Sequence, residues 1–126
     1  MNLGNYNISD LMEVLYRRLS GIGSNVFLFE RPKVHDNMTD FIVIDFPNRL
    51  YDNLGNGVTS CVIELYAKDT ANGSNMPLLA SLQEQVYERL PIDNELCKVF
   101  RPVPQAMGSD NLGFLSIFIY CKVLIK

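Results

Sequence analysis

The chain has no tryptophan, one histidine and three cysteines in 126 residues, and these scarcities already limit its chemistry. His35 sits in a charged connector beside Asp36 and reads as a solvated loop residue. A cysteine–histidine nucleophile pair would have to join it to Cys61, Cys97 or Cys121. Each of those lies in an apolar, strand-like run, where burial raises a thiol pKa and leaves the sulfur inert. Their odd number, wide spacing and lack of any C-x-x-C argue against a disulfide framework or a zinc site, and for small buried hydrophobes in a reducing compartment. No G-x-S-x-G, P-loop or G-x-G-x-x-G occurs. Asp52, Asp110 and their neighbours do not match a calcium loop. Asp36, Asp40 and Asp45 are the only carboxylates that invite thought of a metal, and Asp45 has a candidate partner in Lys68. No apolar run approaches the ~20 residues of a membrane helix, and the opening MNLGNYNISD lacks the basic and apolar regions of a signal peptide. Basic charge is also short: 11 Lys and Arg against 14 Asp and Glu give a net charge of −3, unlike a protein that coats nucleic acid. No catalytic residue, metal or cofactor is expected, and the chain reads as a single domain over 1–126 rather than an enzyme.

What is present is strand and helix patterning of high contrast. The run from Leu112 to Lys126, LGFLSIFIYCKVLIK, is the longest strand signal. Side chains alternate along a strand, so Leu115, Ile117, Ile119, Cys121, Val123 and Ile125 form one wholly apolar face. Phe114, Ser116, Phe118, Tyr120, Lys122 and Leu124 form the other, which is unusually aromatic for a surface in water and calls for a cover. Val43, Val62 and Tyr66 are candidates to extend that second face.

Leu11, Met12, Leu15, Tyr16, Leu19 and Ile22 fall at helical spacing and predict a helix over 9–21, with Asp10 and Glu13 as a capping box or Ser9 as N-cap, and Gly21 and Gly23 as the stop. Residues 25–30, 41–51, 57–69, 95–103 and 112–126 read as strands. Asn56-Gly57 favours a type I′ hairpin turn. A turn there sets Phe46 opposite Ala67, Leu50 opposite Ile63, Asp45 opposite Lys68 and Arg49 opposite Glu64, pairing apolar with apolar and charge with opposite charge. Pro47 marks an edge or a bulge. Leu79, Leu82, Val86 and Leu90 predict a second helix over 76–90, capped by Ser74 or Asn75, with Pro77 in its first turn and Pro91 as its end. Pro102 and Pro104 close the fourth strand, and 104–111 reads as a loop. The order α-β-β-β-α-β-β predicts an α+β fold, a mostly antiparallel sheet of about five strands with both helices on one face.

A small acidic domain with this order and a long central hairpin resembles the tail terminator (tail completion) proteins of long-tailed bacteriophages. The likeness is carried by the opening helix Ser9 to Gly21, the hairpin Phe41 to Asp69 around Asn56-Gly57, the second helix Met76 to Leu90 and the final strand Leu112 to Lys126. It implies a homo-oligomeric ring, usually a hexamer, at the head-proximal end of the tail in the virion. Such a ring stops tube growth, meets the tail tube protein and the head connector protein, and leaves a lumen through which DNA passes without specific binding. An acidic chain suits a wall that phosphate must slide past. The expected oligomer interface is Phe114, Phe118, Tyr120 and Leu124 on the final strand, against a hairpin tip bearing Tyr51 and Leu54. A head–tail connector or neck protein is the nearest alternative reading. A small cytosolic module dimerising through the aromatic strand face is the next.

Overall fold

A computed structural model describes residues 8–23, 25–32, 38–47, 58–71, 73–110 and 112–126. Helix α1, Ile8–Leu19, buries Leu11, Met12, Leu15 and Leu19, one face at 3.6-residue spacing. Since it starts at Ile8, Ser9 and Asp10 lie within its first turn. Asp10 acts there as an acid near the positive end of the helix dipole, and not as the expected cap. Helix α2, Met76–Glu88, is capped by Asn75, whose side chain accepts from the Leu78 amide, and Pro77 occupies its first turn. Leu79, Leu82 and Val86 are its buried stripe.

Six strands form one sheet: β1 Val26–Leu28, β2 Asp40–Asp45, β3 Val58–Lys68, β4 Ile92–Asp93, β5 Cys97–Ser109 and β6 Phe114–Ile125, in the order β1-β2-β3-β6-β5-β4. The sheet is mixed, because β1 runs parallel to β2 while every other pair is antiparallel. The α+β class holds. The expectation of about five strands missed the two-residue β4, which is too short to carry a pattern. Both helices pack on the face of Ile42, Ile44, Cys61, Ile63, Leu65, Ile117, Ile119, Cys121 and Val123, forming the main core. Phe41, Val43, Tyr66 and Phe114 form a second, smaller core on the opposite face.

The β2–β3 register differs from the one expected. Paired numbers total 107, as for Asp40 with Ala67, where a turn at Asn56-Gly57 demands 113. Asp45 therefore faces Val62 and not Lys68, and Phe46 lies beyond the last pair instead of facing Ala67. The offset is even, so every side chain keeps its face and alternation alone cannot tell the two registers apart. The observed one sets Phe41 opposite Tyr66, with rings stacked at 4.5 Å and 16°. It also ends β2 two residues before Pro47, which has no N–H to donate. Asn56-Gly57, Arg49 and Leu50 lie outside the described residues.

The other correction concerns β5, which runs through Pro102 and Pro104 to Ser109 instead of stopping at them. Beyond Val99, β5 has a strand on one side only, among the described residues. A proline on such an edge costs no ladder hydrogen bond. Two register irregularities, between Phe100 and Val103 and between Ala106 and Gly108, absorb the rest, with Arg101 at φ 54°.

Gly23 lets the chain pass from α1 under β2. Its φ is +65°, and a Cβ there would collide with Oδ2 of the buried Asp40 and stand 3.0 Å from Cδ2 of Leu82. Gly23→Ala is expected to lower the unfolding free energy by about 2 kcal/mol through positive φ and that collision. Gly21→Ala, also at positive φ but with open space around it, should cost less. Denaturant titration of the two variants checks the order.

Candidate functional site

The outer face of the sheet, away from the helices, has a covered half and an open half. The covered half is built on β2, β3 and one end of β6. Phe41, Tyr66 and Phe114 are 0 %, 4 % and 1 % exposed. The Phe41 and Phe114 rings meet edge-on at 5.1 Å, and Phe27 meets Phe41 at 6.1 Å. Over them lies Arg31, its guanidinium carbon 4.5 Å from the Tyr66 ring centre, 5.5 Å from Phe41 and 5.8 Å from Phe114. An arginine plane covers aromatic faces well because it is weakly hydrated and attracted to the ring quadrupole.

Asp110, at the β5–β6 turn, holds this lid. Its Oδ2 accepts from Nη1 of Arg31 at 2.7 Å, and its Oδ1 accepts from the amides of Leu112 and Phe114 at 2.9 and 3.0 Å. Burial alone would raise the Asp110 pKa. The Phe114 amide, the Arg31 side chain and the Leu112 amide outweigh it and hold the carboxyl below the ordinary aspartate value. Nearby, burial raises the Glu64 pKa, with the Asp45 charge adding to it, against the hydrogen bond from the Tyr66 hydroxyl and the charge of Arg31. Tyr66 is pushed up strongly by burial and by the hydrogen bond and charge of Glu64.

A depressed aspartate pKa stabilises the fold in full above the unfolded value of about 3.9, and that stability is lost as pH falls through the folded value. Asp110→Asn keeps an acceptor for the two amides and loses the charge pair with Arg31. It should cost about 1 kcal/mol at pH 7, and the difference from wild type should shrink toward zero as the pH falls below about 4. Thermal unfolding of both proteins across pH 2–7 reads this directly.

The open half is built on β5 and the other end of β6. Directly opposed pairs Lys98–Leu124, Phe100–Lys122, Val103–Tyr120 and Gln105–Phe118 make a ladder on the outer face. Val103 is 59 % exposed, Tyr120 37 % and Leu124 38 %. The Lys98 ammonium stands 5.7 Å from the Phe100 ring centre. Neither strand contains an acidic residue. Where β5 passes the end of α2, Tyr87, Leu90, Pro91, Phe100 and Pro102 line an apolar groove of about 470 Å³, rimmed by Lys98 and Arg101.

The structure separates the residues expected at an interface. Phe114 is buried beneath Arg31 and is not available at a surface, and Val43, Val62 and Tyr66 are buried likewise. The connector after β1 supplies this cover through the Arg31 guanidinium and the Met38 side chain. Phe118 is half-buried, its ring 6.1 Å from Tyr66. Tyr120 and Leu124 are exposed. Tyr51, Leu54 and His35 lie outside the described residues. Val103 and Phe100 join the surface although sequence reasoning passed over them. The signal was there in a strand that prolines mark as an edge instead of ending.

Cys61, Cys97 and Cys121 are free and buried. Cys61 and Cys121 oppose each other across β3 and β6, and the hydrogen bond between the thiols, followed by burial, pushes the Cys61 pKa well up. Among the described residues no three His, Cys, Asp or Glu side chains gather to hold a metal, and no helix is long and apolar enough to cross a membrane. No family model matches the chain, and no curated protein matches it significantly.

Proposed function

We propose that this chain is a structural subunit of a long-tailed phage virion, a tail terminator that closes into a homo-oligomeric ring on the tail tube and joins it to the head connector. The observation that carries the reading is the open ladder on β5 and β6. It sets apolar and aromatic side chains, which interface cores favour, on a rigid sheet face among lysines, which suit a rim. The free edge beside it bears two prolines and two bulges, which disfavour strand addition. Association then runs through faces of fixed orientation, which suits a ring that closes and stops. The likeness in helix and strand order, to which β4 adds one short strand, supports the reading, and net charge −3 suits a lumen wall for DNA. The role is one of assembly, with no reaction.

Native mass measurement of the purified chain, alone and mixed with assembled tail tubes, tests this. The expected result is a ring of about six copies of the 14.3 kDa chain that binds tube ends and halts their growth. A ring that binds the head connector but leaves tubes growing would make it a neck protein. A chain that stays a monomer or two-fold dimer, with and without tubes, defeats the reading and leaves a small binding module.

A further inference from the structure

We infer that the cationic ladder on β5 and β6 of one copy seats the acidic flank of α2 of the next copy. This rests on the ring reading above and names the second surface that a ring requires. A ring contact is heterologous, so it needs two different, complementary patches on each subunit. The first patch carries Lys98 and Lys122 around Val103 and Tyr120, on two strands without a carboxylate.

The second patch is identified by an oddity in α2. The helix carries Glu84 and Glu88 and no cation. These acids stand one turn apart, where like charges repel, and Glu88 is in the last turn, where the helix dipole disfavours an acid. The neighbouring Arg89 does not relieve them. Its Nη1 donates to the carbonyls of Arg18 and Ser20, at the end of α1, at 2.8 and 3.0 Å. Among the described residues no ion pair involves Glu84, Glu88, Lys98 or Lys122. Two acids placed against local preference and two lysines with no ion pair of their own complement each other between copies, although Asp93 stands opposite Lys98 on β4 and offsets part of its charge. Tyr87 and Ala80 beside the two acids give this flank an apolar, concave floor to receive Val103 and Tyr120.

The test uses two charge-reversed full-length chains, Glu84→Lys/Glu88→Lys and Lys98→Glu/Lys122→Glu, in the ring assay with and without tubes. Circular dichroism confirms that each folds. Each variant alone should self-associate at least about tenfold more weakly than wild type. An equimolar mixture should recover the ring, since in a ring that alternates the two variants every contact pairs opposite charges. Wild-type association should weaken as salt rises. Undiminished association of either variant, or a mixture that fails to recover, overturns this pairing and leaves the ring reading standing on another surface. A wild type that never assembles overturns both.

Discussion

Phe41→Ala is expected to lower the unfolding free energy by about 3–5 kcal/mol. The ring is fully buried, stacked on Tyr66, edge-on to Phe114 and Phe27, and capped by Arg31. Removing it opens a cavity in a small cluster, with four fully packed members among the described residues, so few neighbours can collapse into the space. Each aromatic pair lost adds about 0.5–1.5 kcal/mol beyond area burial. Arg31 loses one of the three rings beneath its guanidinium. Against a total stability of about 5–15 kcal/mol, this is a third or more of the margin. Urea denaturation should show a lower midpoint with an unchanged slope. A loss under about 1 kcal/mol would mean that the outer face is not packed in this way. Phe118→Ala, at the half-buried margin of the same cluster, should cost clearly less.

The contrast between these two phenylalanines shows what the sequence makes legible. Helical spacing located α1 and α2 to within about two residues, because a stripe at 3.6-residue period has no competing reading. Alternation assigned the faces of β3 and β6 correctly for the same reason. It was blind to register, since a six-residue slip returns each side chain to its own face. Only the contact of Phe41 with Tyr66 in space distinguishes the alternatives. β1 is three residues long and pairs in parallel, and both facts depend on where the connector after it travels. That connector also decides which part of the outer face is covered. Its composition is polar, yet Arg31, fixed by Asp110, and Met38 both pack on the aromatic rings. Pro102 and Pro104 predict a strand end from sequence, yet in the fold they mark an edge. Half of the candidate surface, Val103 and Phe100, was hidden behind that reading.

Val103→Asp with Tyr120→Asp is expected to abolish ring assembly while leaving the fold nearly intact. The two side chains face each other across β5 and β6 at the middle of the open ladder. They are 59 % and 37 % exposed, so neither substitution opens a cavity in either core. Exposed changes of this kind usually lie within about 0.5 kcal/mol, and the lower strand propensity of aspartate brings the pair to about 1–2 kcal/mol. An interface core responds differently. Truncating a central aromatic anchor costs about 2 kcal/mol or more, and a buried, unpaired carboxylate adds its desolvation penalty. At about 1.4 kcal/mol per tenfold, the contact weakens by at least about thirtyfold, and a ring multiplies that loss over every contact it must close. Native mass spectrometry and unfolding curves on the same samples read the two effects separately. Rings that persist with both aspartates in place would remove this face from the interface, and a collapse of the unfolding midpoint matching that of Phe41→Ala would place Val103 and Tyr120 in a core instead. The expected pattern is a monomer with nearly wild-type stability, because in the proposed ring the open half of this sheet is packed by a neighbour, whereas the covered half is packed within the chain.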